Sequence, residues 1–386
     1  MSQRIIYCDH NSTTRTDPRV AEVMHQAAVE IFGNPSSGHR LGQQARALLD
    51  KSRSQIAAYI GAKPSEIILT GTGSESDNLA IFGSLNAPDA AGCHLLTVAT
   101  EHHAITHSAD WAQRHGFEVT ILPVDSRGRI DPDDFARALK PTTRLASVML
   151  ANNEVGTIHP IAQLATIAHE RGVLFHTDAV QAMGKIPVDV NDLKVDLLSL
   201  AAHKFYGPKG VGILYVRSGT RLASIIHGGG QETGRRPGTE NIPGVVGTAE
   251  AMRIIADDPQ EAARVGAMAK DLRYRLAHQL DGIEFFGDPE NCLPNTVGVG
   301  FGGVDGESLA IALDLKCICV STGSACMTGA AKPSHVLQAM GVSERFLRGS
   351  IRFSFGRENV PADAAAIADT VIAEVQRLRK MSPVKV

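Results

Sequence analysis

The sequence predicts an α/β fold in which a mainly parallel sheet lies between helices, together with a smaller α+β domain. Seven short apolar runs have the length of buried strands, and helical patterns separate most of them. Strands that are apolar on both faces and alternate with helices are typical of a parallel sheet covered on both sides. Because ligands bind at the carboxyl ends of such strands, we expect the functional residues there.

The predicted elements follow one another in chain order. Apolar residues recur at helical spacing over residues 41–60. The strands are predicted at residues 66–71, 94–100, 118–124, 145–152, 173–179, 196–200 and 210–216. The helices between them are predicted at residues 74–86, 104–115, 132–139 and 160–171. Beyond them, helices at about 259–280, 306–314 and 361–380 accompany strands at about 283–287, 295–301 and 350–355.

We expect a large domain over residues 15–256 and a small domain formed by residues 1–14 and 257–386. The length of 386 residues agrees with two or three domains. The net charge of -3, without any Lys/Arg run, argues against a nucleic-acid partner. No apolar stretch reaches membrane-spanning length, and the N-terminus does not have the pattern of a signal peptide. The six cysteines lack CxxC spacing, which favours a reducing cytoplasm over a disulfide framework.

A glycine-rich turn, GTGSES at residues 71–76, lies between a predicted strand and a predicted helix. Glycines let the backbone approach a ligand, and the N–H groups that open a helix favour an anion. The turn is neither a Walker loop nor a GxGxxG fingerprint. A phosphate-binding turn and an ordinary turn with a serine cap therefore both remain open.

Two charged residues are predicted at strand ends. Asp178 ends an apolar strand, where a carboxylate can pair with a protonated pyridine nitrogen or can cap the next helix. Lys204 follows the apolar run LLSLAAH, so desolvation should lower the pKa of its amine, as a Schiff-base lysine requires. Lys209, in the turn GPKG, is expected to be structural or exposed.

Cys326 lies in a loop of small residues, STGSACMTGAA, and is therefore a candidate nucleophile. Cys317 and Cys319 lie in an apolar run and are expected to be packed, with a metal-binding CxC pair as the weaker alternative. His103 and His107 could bind a metal from one helix face, but the sequence lacks HExxH. His102, at a predicted strand end, is better placed for ring stacking or proton transfer.

In combination these motifs resemble one family. EHH, ANNEVG, HTDAVQ, SLAAHKFYGPKG, GGGQE, RRPGTEN, STGSAC and SIRFSFGR occur in that order over nearly the whole chain. The set is similar to the cysteine desulfurases of the NifS/IscS group, within the class V aminotransferase branch of fold-type I enzymes that use pyridoxal 5′-phosphate (PLP). The resemblance implies a PLP-dependent homodimer that takes sulfur from L-cysteine and yields L-alanine.

The resemblance also implies roles for residues around the cofactor ring. Lys204 would form the internal aldimine and then move the substrate Cα proton. Asp178 would pair with the pyridine nitrogen, and Gln181 would form a hydrogen bond with the ring hydroxyl. His102 would stack on the ring and serve as an acid or base.

The phosphate and the substrate have their own implied residues. Gly73, Ser74 and His203 would hold the phosphate, with Thr239 reaching in from the other subunit. Ala201 stands where many relatives carry a hydroxyl, so one phosphate contact is expected to be lost or replaced. The residues implied for substrate binding are Asn34, Asn153 and Arg352, of which Asn153 also contacts the cofactor.

Cys326 would attack the substrate sulfur and carry it as a persulfide to an acceptor such as an iron–sulfur scaffold protein. No metal site is expected, although Cys326 could transiently contact an iron–sulfur cluster. A selenocysteine lyase or another class V enzyme is the alternative on the same fold. A nucleotide-binding or scaffold protein on a doubly wound sheet is the alternative from another class, but it leaves Lys204 and Asp178 unexplained.

Overall fold

The structure, a computed structural model, describes residues 4–88, 94–322 and 333–381. Its strands are β1 (Ile6–Tyr7), β2 (Ile67–Thr70), β3 (His94–Val98), β4 (Glu118–Leu122), β5 (Thr143–Ser147), β6 (Leu174–Asp178), β7 (Leu197–Ala201), β8 (Gly212–Val216), β9 (Ile283–Phe286), β10 (Thr296–Phe301), β11 (Ile318–Cys319), β12 (Ser321–Thr322) and β13 (Ser350–Ser354). Its helices are α1 (Pro18–Glu30), α2 (Arg40–Tyr59), α3 (Gly73–Leu85), α4 (His103–Arg114), α5 (Pro132–Ala138), α6 (Ile161–His169), α7 (Ile242–Asp257), α8 (Glu261–Gln279), α9 (Gly306–Asp314), α10 (His335–Ala339), α11 (Glu344–Leu347) and α12 (Pro361–Met381).

The central sheet has seven strands in the order β2-β8-β7-β6-β5-β3-β4. Strand β8 runs antiparallel to both its neighbours, and the other pairs are parallel. Only ten residues join β7 to β8, too few for the crossover helix that a parallel pair needs, so the chain returns antiparallel. Most strands are buried along their whole length, as their apolar sequences require. The predicted fold class is confirmed, and each of the seven predicted runs contributes one strand.

Two parts of the sheet region differ from the prediction. The run predicted as a strand over residues 145–152 is regular only to Ser147. The side chain of Asn152 accepts hydrogen bonds from the N–H groups of Glu154 and Val155, at 2.8 and 2.9 Å, and so fixes a turn there. Helices α1 and α7, which the periodicity did not predict, pack against each other. Gly247 of α7 allows this approach, because a Cβ atom there would lie 2.6 Å from Met24.

The smaller part of the molecule is built on an antiparallel sheet in the order β12-β13-β10-β9. Its apolar core is formed by this sheet with helices α8, α9 and α12, and it includes Cys8 from the N-terminal segment. Strand β1 pairs in parallel with β11, with Ile6 opposite Ile318. The N-terminal residues therefore pack with the C-terminal part, although the division at residues 14 and 256 stays a prediction.

Arg357 links the two parts of the molecule. Its guanidinium donates to the carboxylates of Asp17 and Glu261 at 2.8 and 2.6 Å, and it stacks on the ring of Tyr206 at 4.0 Å. This contact holds the end of β13 against the large sheet, which positions Arg352 of the same strand at the sheet's edge. Among the helices of the described ranges, none is both long and apolar enough to cross a bilayer.

Candidate active site

A cavity of about 480 Å³ opens at the carboxyl ends of the parallel strands. It receives residues from the ends of β6 and β7, from the start of α3 and from β13 of the small sheet. The predicted site residues that line it are Gly73, Ser74, His102, Asn153, Asp178, Gln181, Ala201, His203, Lys204 and Arg352. The carboxyl edge of the sheet thus brings together residues that lie far apart in sequence.

A larger cavity, of about 600 Å³, lies around Arg53 and Glu232. The guanidinium of Arg53 donates to both carboxylate oxygens of Glu232 at 2.7 and 2.6 Å, and Glu232 also accepts from the N–H of Leu69. The charges of Arg53 and Glu232 thus satisfy one another, and the lining contains neither a lysine nor a residue from the carboxyl ends of β6 and β7. The cavity at the strand ends is therefore the better candidate.

Lys204 ends a short 3-10 turn, Ala202–Lys204, that follows β7. Its Nζ atom donates to the carbonyl oxygens of Asn11 and Ser12, each at 2.7 Å. Burial lowers the pKa of Lys204 to about 8, and the positive charge of Arg352 acts in the same direction. An amine with such a pKa is nucleophilic near neutral pH, which is what a Schiff-base lysine needs.

The turn after Lys204 requires glycine. A Cβ atom at Gly207 would lie 2.8 Å from the carbonyl oxygen of Ala202, so a larger residue would displace the turn. Lys209, in the same GPKG motif, is exposed, as expected. The motif therefore fixes the backbone that presents Lys204 to the cavity.

Helix α3 begins beside the cavity at Gly73. Thr72 caps the helix by accepting a hydrogen bond from the N–H of Glu75 at 3.0 Å. The capping residue is therefore this threonine and not a serine, as the alternative of an ordinary turn had assumed. The first N–H groups of a helix have no partner within the helix, and both Gly73 and Ser74 line the cavity. A Cβ atom at Gly73 would lie 3.0 Å from Val180 and 3.2 Å from Ala201. Glycine therefore lets the helix start approach the ends of β6 and β7, which suits an anionic group.

Three carboxyl groups are buried near the end of β6. Asp178 accepts a hydrogen bond from the N–H of Val180 at 2.9 Å, and burial raises its pKa to about 6. Burial raises the pKa of Asp77 and of Glu101 well above the ordinary range, and the charge of Asp178 adds to both effects. The N–H of Met149 donates to Glu101 at 2.7 Å. Such a cluster disfavours further negative charge and favours a cation beside Asp178.

Two histidines on the cavity wall are held in the neutral form. His102 caps α4, and its Nδ1 atom accepts from the N–H of Ala104 at 3.1 Å, which leaves the proton on Nε2. His102 lines the cavity, and desolvation by the surrounding protein together with the charge of Lys204 lowers its pKa to about 4. Burial lowers the pKa of His203 to about 4 as well, and its Nδ1 lies 3.0 Å from the hydroxyl of Thr13.

Arg352 reaches the cavity from β13 and is buried. Its guanidinium donates to the carbonyl oxygen of Asn153 at 2.9 Å, to the carboxylate of Asp9 at 2.8 Å and to the hydroxyl of Ser12 at 2.7 Å. Its Nε atom is without a hydrogen-bond partner in the described part of the molecule. The group is thus held in place with donor capacity left for a carboxylate.

Two predicted residues lie outside this cavity. Asn34 is exposed, and its side chain accepts from the N–H of Ser36 at 2.8 Å. Thr239 is exposed too, in the segment that Arg236 ties to Glu75 at 2.8 Å. Both stay predictions, Asn34 for substrate binding and Thr239 for a site in the other subunit.

Cys326 lies outside the described residues. Strand β12 ends at Thr322, four residues before it, and Ser321 of that strand pairs with Arg352. Cys317 and Cys319 are half-buried rather than fully packed, and burial raises the pKa of Cys319.

The metal-binding alternatives gain no support from the described ranges. There, groups of three or more potential ligands amount to one set, Asp77, His102 and Asp178, with ligand atoms within 4.8 Å of one another. The His103 and His107 rings stack with centroids 4.9 Å apart and belong to no such group.

Sequence reasoning missed several residues of this site. The unpredicted residues that line the cavity are Asn11, Ser12, Thr72, Asp77, Met149, Ala151 and Val180. Asp77 follows Ser74 by about one helical turn, so the spacing of a helix that starts at the turn places both on one face. For Asn11 and Ser12 the sequence contains no pattern that places them in the cavity. Their position depends on long-range contacts such as the hydrogen bond from Asn295 to Asn11.

Comparisons with known proteins agree with this geometry. The family model described as Aminotransferase class-V matches residues 6–367. A relative named cysteine desulfurase IscS, from Dictyoglomus turgidum, is 44% identical over 99% of this chain and 98% of its own length. A cysteine desulfurase of Gluconacetobacter diazotrophicus is also 44% identical, over 98% of this chain and 95% of its own.

Solved structures give the same result. A NifS-like protein superposes with a TM-score of 0.91 at 36% identity, covering 97% of this chain and 100% of its own. A protein described as SspA in complex with cysteine has a TM-score of 0.81 at 34% identity, covering 92% of this chain and 100% of its own. The resemblance to the NifS/IscS group that the motifs predicted is confirmed.

Proposed function

The chain belongs to the class-V aminotransferase family, and from this premise we propose that it is a cysteine desulfurase. It would convert L-cysteine into L-alanine and hold the released sulfur as a persulfide on Cys326. Enzymes of this family depend on PLP, so the prediction of the cofactor and of an enzyme is confirmed. The observation that supports the proposal most is the meeting of Lys204, Asp178 and Arg352 in one cavity.

The residues of the cavity fit PLP. The amine of Lys204 suits the aldehyde, and the buried carboxyl of Asp178 suits a cationic ring nitrogen. The close approach at Gly73 leaves the start of α3, with Ser74, for the phosphate. Ala201 offers no hydroxyl there, so His203 and Thr239 of the partner subunit would supply the remaining phosphate contacts. When bound, PLP supplies an electron sink for the carbon atoms of the substrate.

Lys204 is proposed to move the substrate proton. Its lowered pKa lets the amine take the proton from Cα near neutral pH and return it at a neighbouring position. The low pKa of His102 keeps its ring neutral, so the ring can stack on the cofactor without adding charge beside Lys204. Its proton on Nε2 can be donated to a group in the cavity.

Arg352 is proposed to hold the substrate carboxylate. The contacts to Asn153 and Ser12 fix the guanidinium at the cavity wall, and a two-pronged pair would orient the substrate. The charge of Asp9 lies 2.8 Å from the same group, so a bound carboxylate would share the guanidinium with it. Asn34 and the side chain of Asn153 are proposed as further substrate contacts.

The sulfur step is proposed to use the thiolate of Cys326. The thiolate attacks the sulfur atom of the substrate, a sulfur–sulfur bond forms, and the bond between Cβ and sulfur breaks. The electron pair of the broken bond stays with the carbon skeleton, which then takes up a proton and leaves as alanine. Strand β12, which leads toward Cys326, lies beside Arg352, so the segment that carries the thiol starts next to the proposed substrate site.

A homodimer is proposed because the family resemblance assigns Thr239 to the other subunit's site, and Thr239 is exposed and lies outside the cavity of its own chain. The acceptor of the sulfur is proposed to be another protein, such as an iron–sulfur scaffold. We expect the enzyme to operate in the cytoplasm.

The deciding experiment follows the sulfur atom. Enzyme incubated with L-cysteine and no reductant should gain the mass of one sulfur on the peptide that contains Cys326. Cys326→Ala should keep the visible absorbance of bound PLP and still bind L-cysteine, but alanine formation should fall to background. Cys319→Ala is the matched control, because burial disfavours the thiolate of Cys319, and this variant should form alanine normally.

Two results would change the assignment. Unchanged alanine formation in Cys326→Ala would refute the persulfide mechanism. A selenocysteine lyase would be favoured if Cys326→Ala still turns over selenocysteine but does not turn over cysteine. Selenium is the better leaving group and can leave without a thiol acceptor.

A further inference from the structure

A chain of hydrogen bonds leads from the cavity to a lysine behind it. The Nζ atom of Lys185 donates to the side-chain oxygen of Gln181 at 2.6 Å. The side-chain nitrogen of Gln181 donates to the carbonyl oxygen of Asn11 at 2.7 Å. That carbonyl oxygen also accepts from Nζ of Lys204 at 2.7 Å. Lys185 is therefore connected to Lys204 through two shared groups.

The two contacts of Gln181 fix the direction of its amide. A carbonyl oxygen only accepts, so Asn11 requires the NH₂ group of Gln181, and this turns the amide oxygen toward Lys185, whose Nζ donates to it. Gln181 is buried and lines the cavity, and its NH₂ group has a second hydrogen to donate there. The amide is thereby set as a donor toward a bound ligand.

Lys185 has an unusual position for a lysine. It is half-buried and lines a narrow cavity behind the site, together with His10, Tyr206 and Phe355. Burial lowers its pKa well below the ordinary range, and the two charges that act on it most, Lys204 and Arg352, are also positive. Within the described part of the chain, no carboxylate lies within salt-bridge distance of its Nζ. Its amine thus has Gln181 as its hydrogen-bond partner, and its placement costs stability.

We propose that Lys185 is a positioning residue that holds the oxygen of Gln181 and so presents the NH₂ group of Gln181 to the ring oxygen of PLP. The inference rests on the proposed placement of that ring oxygen beside Gln181. An apolar side chain would fill this position without the cost of desolvating an amine, whereas Lys185 gives the oxygen of Gln181 a donor. The costly amine therefore serves the cofactor site.

The test compares Lys185→Met with Lys185→Gln in a wild-type background and in a Gln181→Ala background. Lys185→Met removes the donor but keeps the length of the side chain, and we expect it to weaken PLP binding about tenfold. Its visible absorption maximum should move, since the ring oxygen loses an oriented donor. Lys185→Gln retains an NH₂ donor and should lose less affinity. In Gln181→Ala, Lys185→Met should change PLP affinity by less than about twofold, because its partner is already absent.

Thermal unfolding of the PLP-free protein provides the control for a structural role. Lys185→Met should unfold at the same temperature as wild type or higher, since it removes a buried charge. Unchanged PLP affinity and absorbance in Lys185→Met would overturn the proposal, and so would equal losses in the Met and Gln variants or in the two backgrounds. Gln181→Ala with unchanged absorbance would instead refute the placement of the ring oxygen. None of these measurements involves sulfur transfer, so they are separate from the test of the desulfurase.

Discussion

Asp178→Asn should stabilise the PLP-free protein and destabilise the loaded one. Asp178 is 5% exposed, and burial raises the pKa of its carboxyl from 3.8 to about 6. The folded state therefore favours the protonated form, and the ionised form costs free energy. The asparagine keeps an oxygen for the N–H of Val180, which now donates to Asp178 at 2.9 Å. The substitution thus removes the charge and keeps the contact.

The magnitude follows from the shift in pKa. A rise of about two units corresponds to about 3 kcal/mol of unfolding free energy above pH ~6, where the carboxyl is ionised in both states. Below pH ~4 the carboxyl is protonated in both states, and the cost is absent. The gain from Asp178→Asn should therefore be about 3 kcal/mol near pH 8 and only about 1 kcal/mol near pH 4.5.

Urea unfolding of the PLP-free proteins at several pH values measures this gain. Asp189→Asn is the matched control. The carboxylate of Asp189 lies in a turn, where it accepts a hydrogen bond from the N–H of Asn191 at 2.7 Å, and its replacement should give no comparable gain in stability. With PLP bound, the order of stability should reverse, because the carboxylate then pairs with the cationic ring nitrogen. A PLP-free Asp178→Asn protein that is less stable than wild type near pH 8 would refute the reasoning. So would a gain that does not shrink as the pH falls through the window from about 6 to about 4.

Three further substitutions test the proposed roles. Lys204→Ala should abolish turnover, and borohydride reduction of PLP-loaded wild type should label Lys204, whereas a label on Lys185 or Lys209 would contradict the assignment. Arg352→Lys should lower kcat/KM for L-cysteine by about ten- to a hundredfold, mainly through KM, because the two-pronged pair is lost; an unchanged KM would place the carboxylate elsewhere. Ala201→Ser should bind PLP more tightly, since the hydroxyl adds a phosphate contact at the end of β7, and weaker binding would show that the site is too narrow.

The strands and the residues at their ends could be predicted because both depend on local sequence. A run such as LLSLAAHK places an apolar strand in the core, so its last residue comes to the edge of the sheet, where Lys204 lies. The same reasoning applies to Asp178 at the end of β6. The HTDAVQ and GSAC motifs then identified the family. Helix α7 was not predicted because it is buried on several sides, which removes the apolar periodicity of a surface helix.

The residues behind the site could not be predicted, because their role arises from packing between distant elements. Asp77 is buried because α3 packs on β7 and β8 of the large sheet, and its sequence context is that of an exposed helix residue. Lys185 lies seven residues after Asp178 in a segment without regular secondary structure, so no period indicates where its side chain goes. Its contact with Gln181 needs the N-terminal segment in place as the third partner.

The charged groups around the cavity form two sets, one of carboxyl groups and one of cationic groups. Asp77, Glu101 and Asp178 bring three buried carboxyl groups together, and the charge of Asp178 helps to raise the pKa of the other two. Lys185, Lys204 and Arg352 form the second set, and burial together with the positive neighbours lowers the pKa of both lysines. Both groupings cost stability in the absence of a ligand.

A ligand with a cationic nitrogen at one end and anionic oxygens at the other would relieve both groupings at once. PLP bound with its ring nitrogen at Asp178 and its ring oxygen at Gln181 has this distribution, and a substrate carboxylate at Arg352 extends it. Because binding to the folded state alone stabilises it, the strain becomes binding free energy for the cofactor. The unfolding temperature should therefore rise on PLP loading by more in wild type than in Asp178→Asn, since the asparagine has already removed part of the strain that the cofactor relieves.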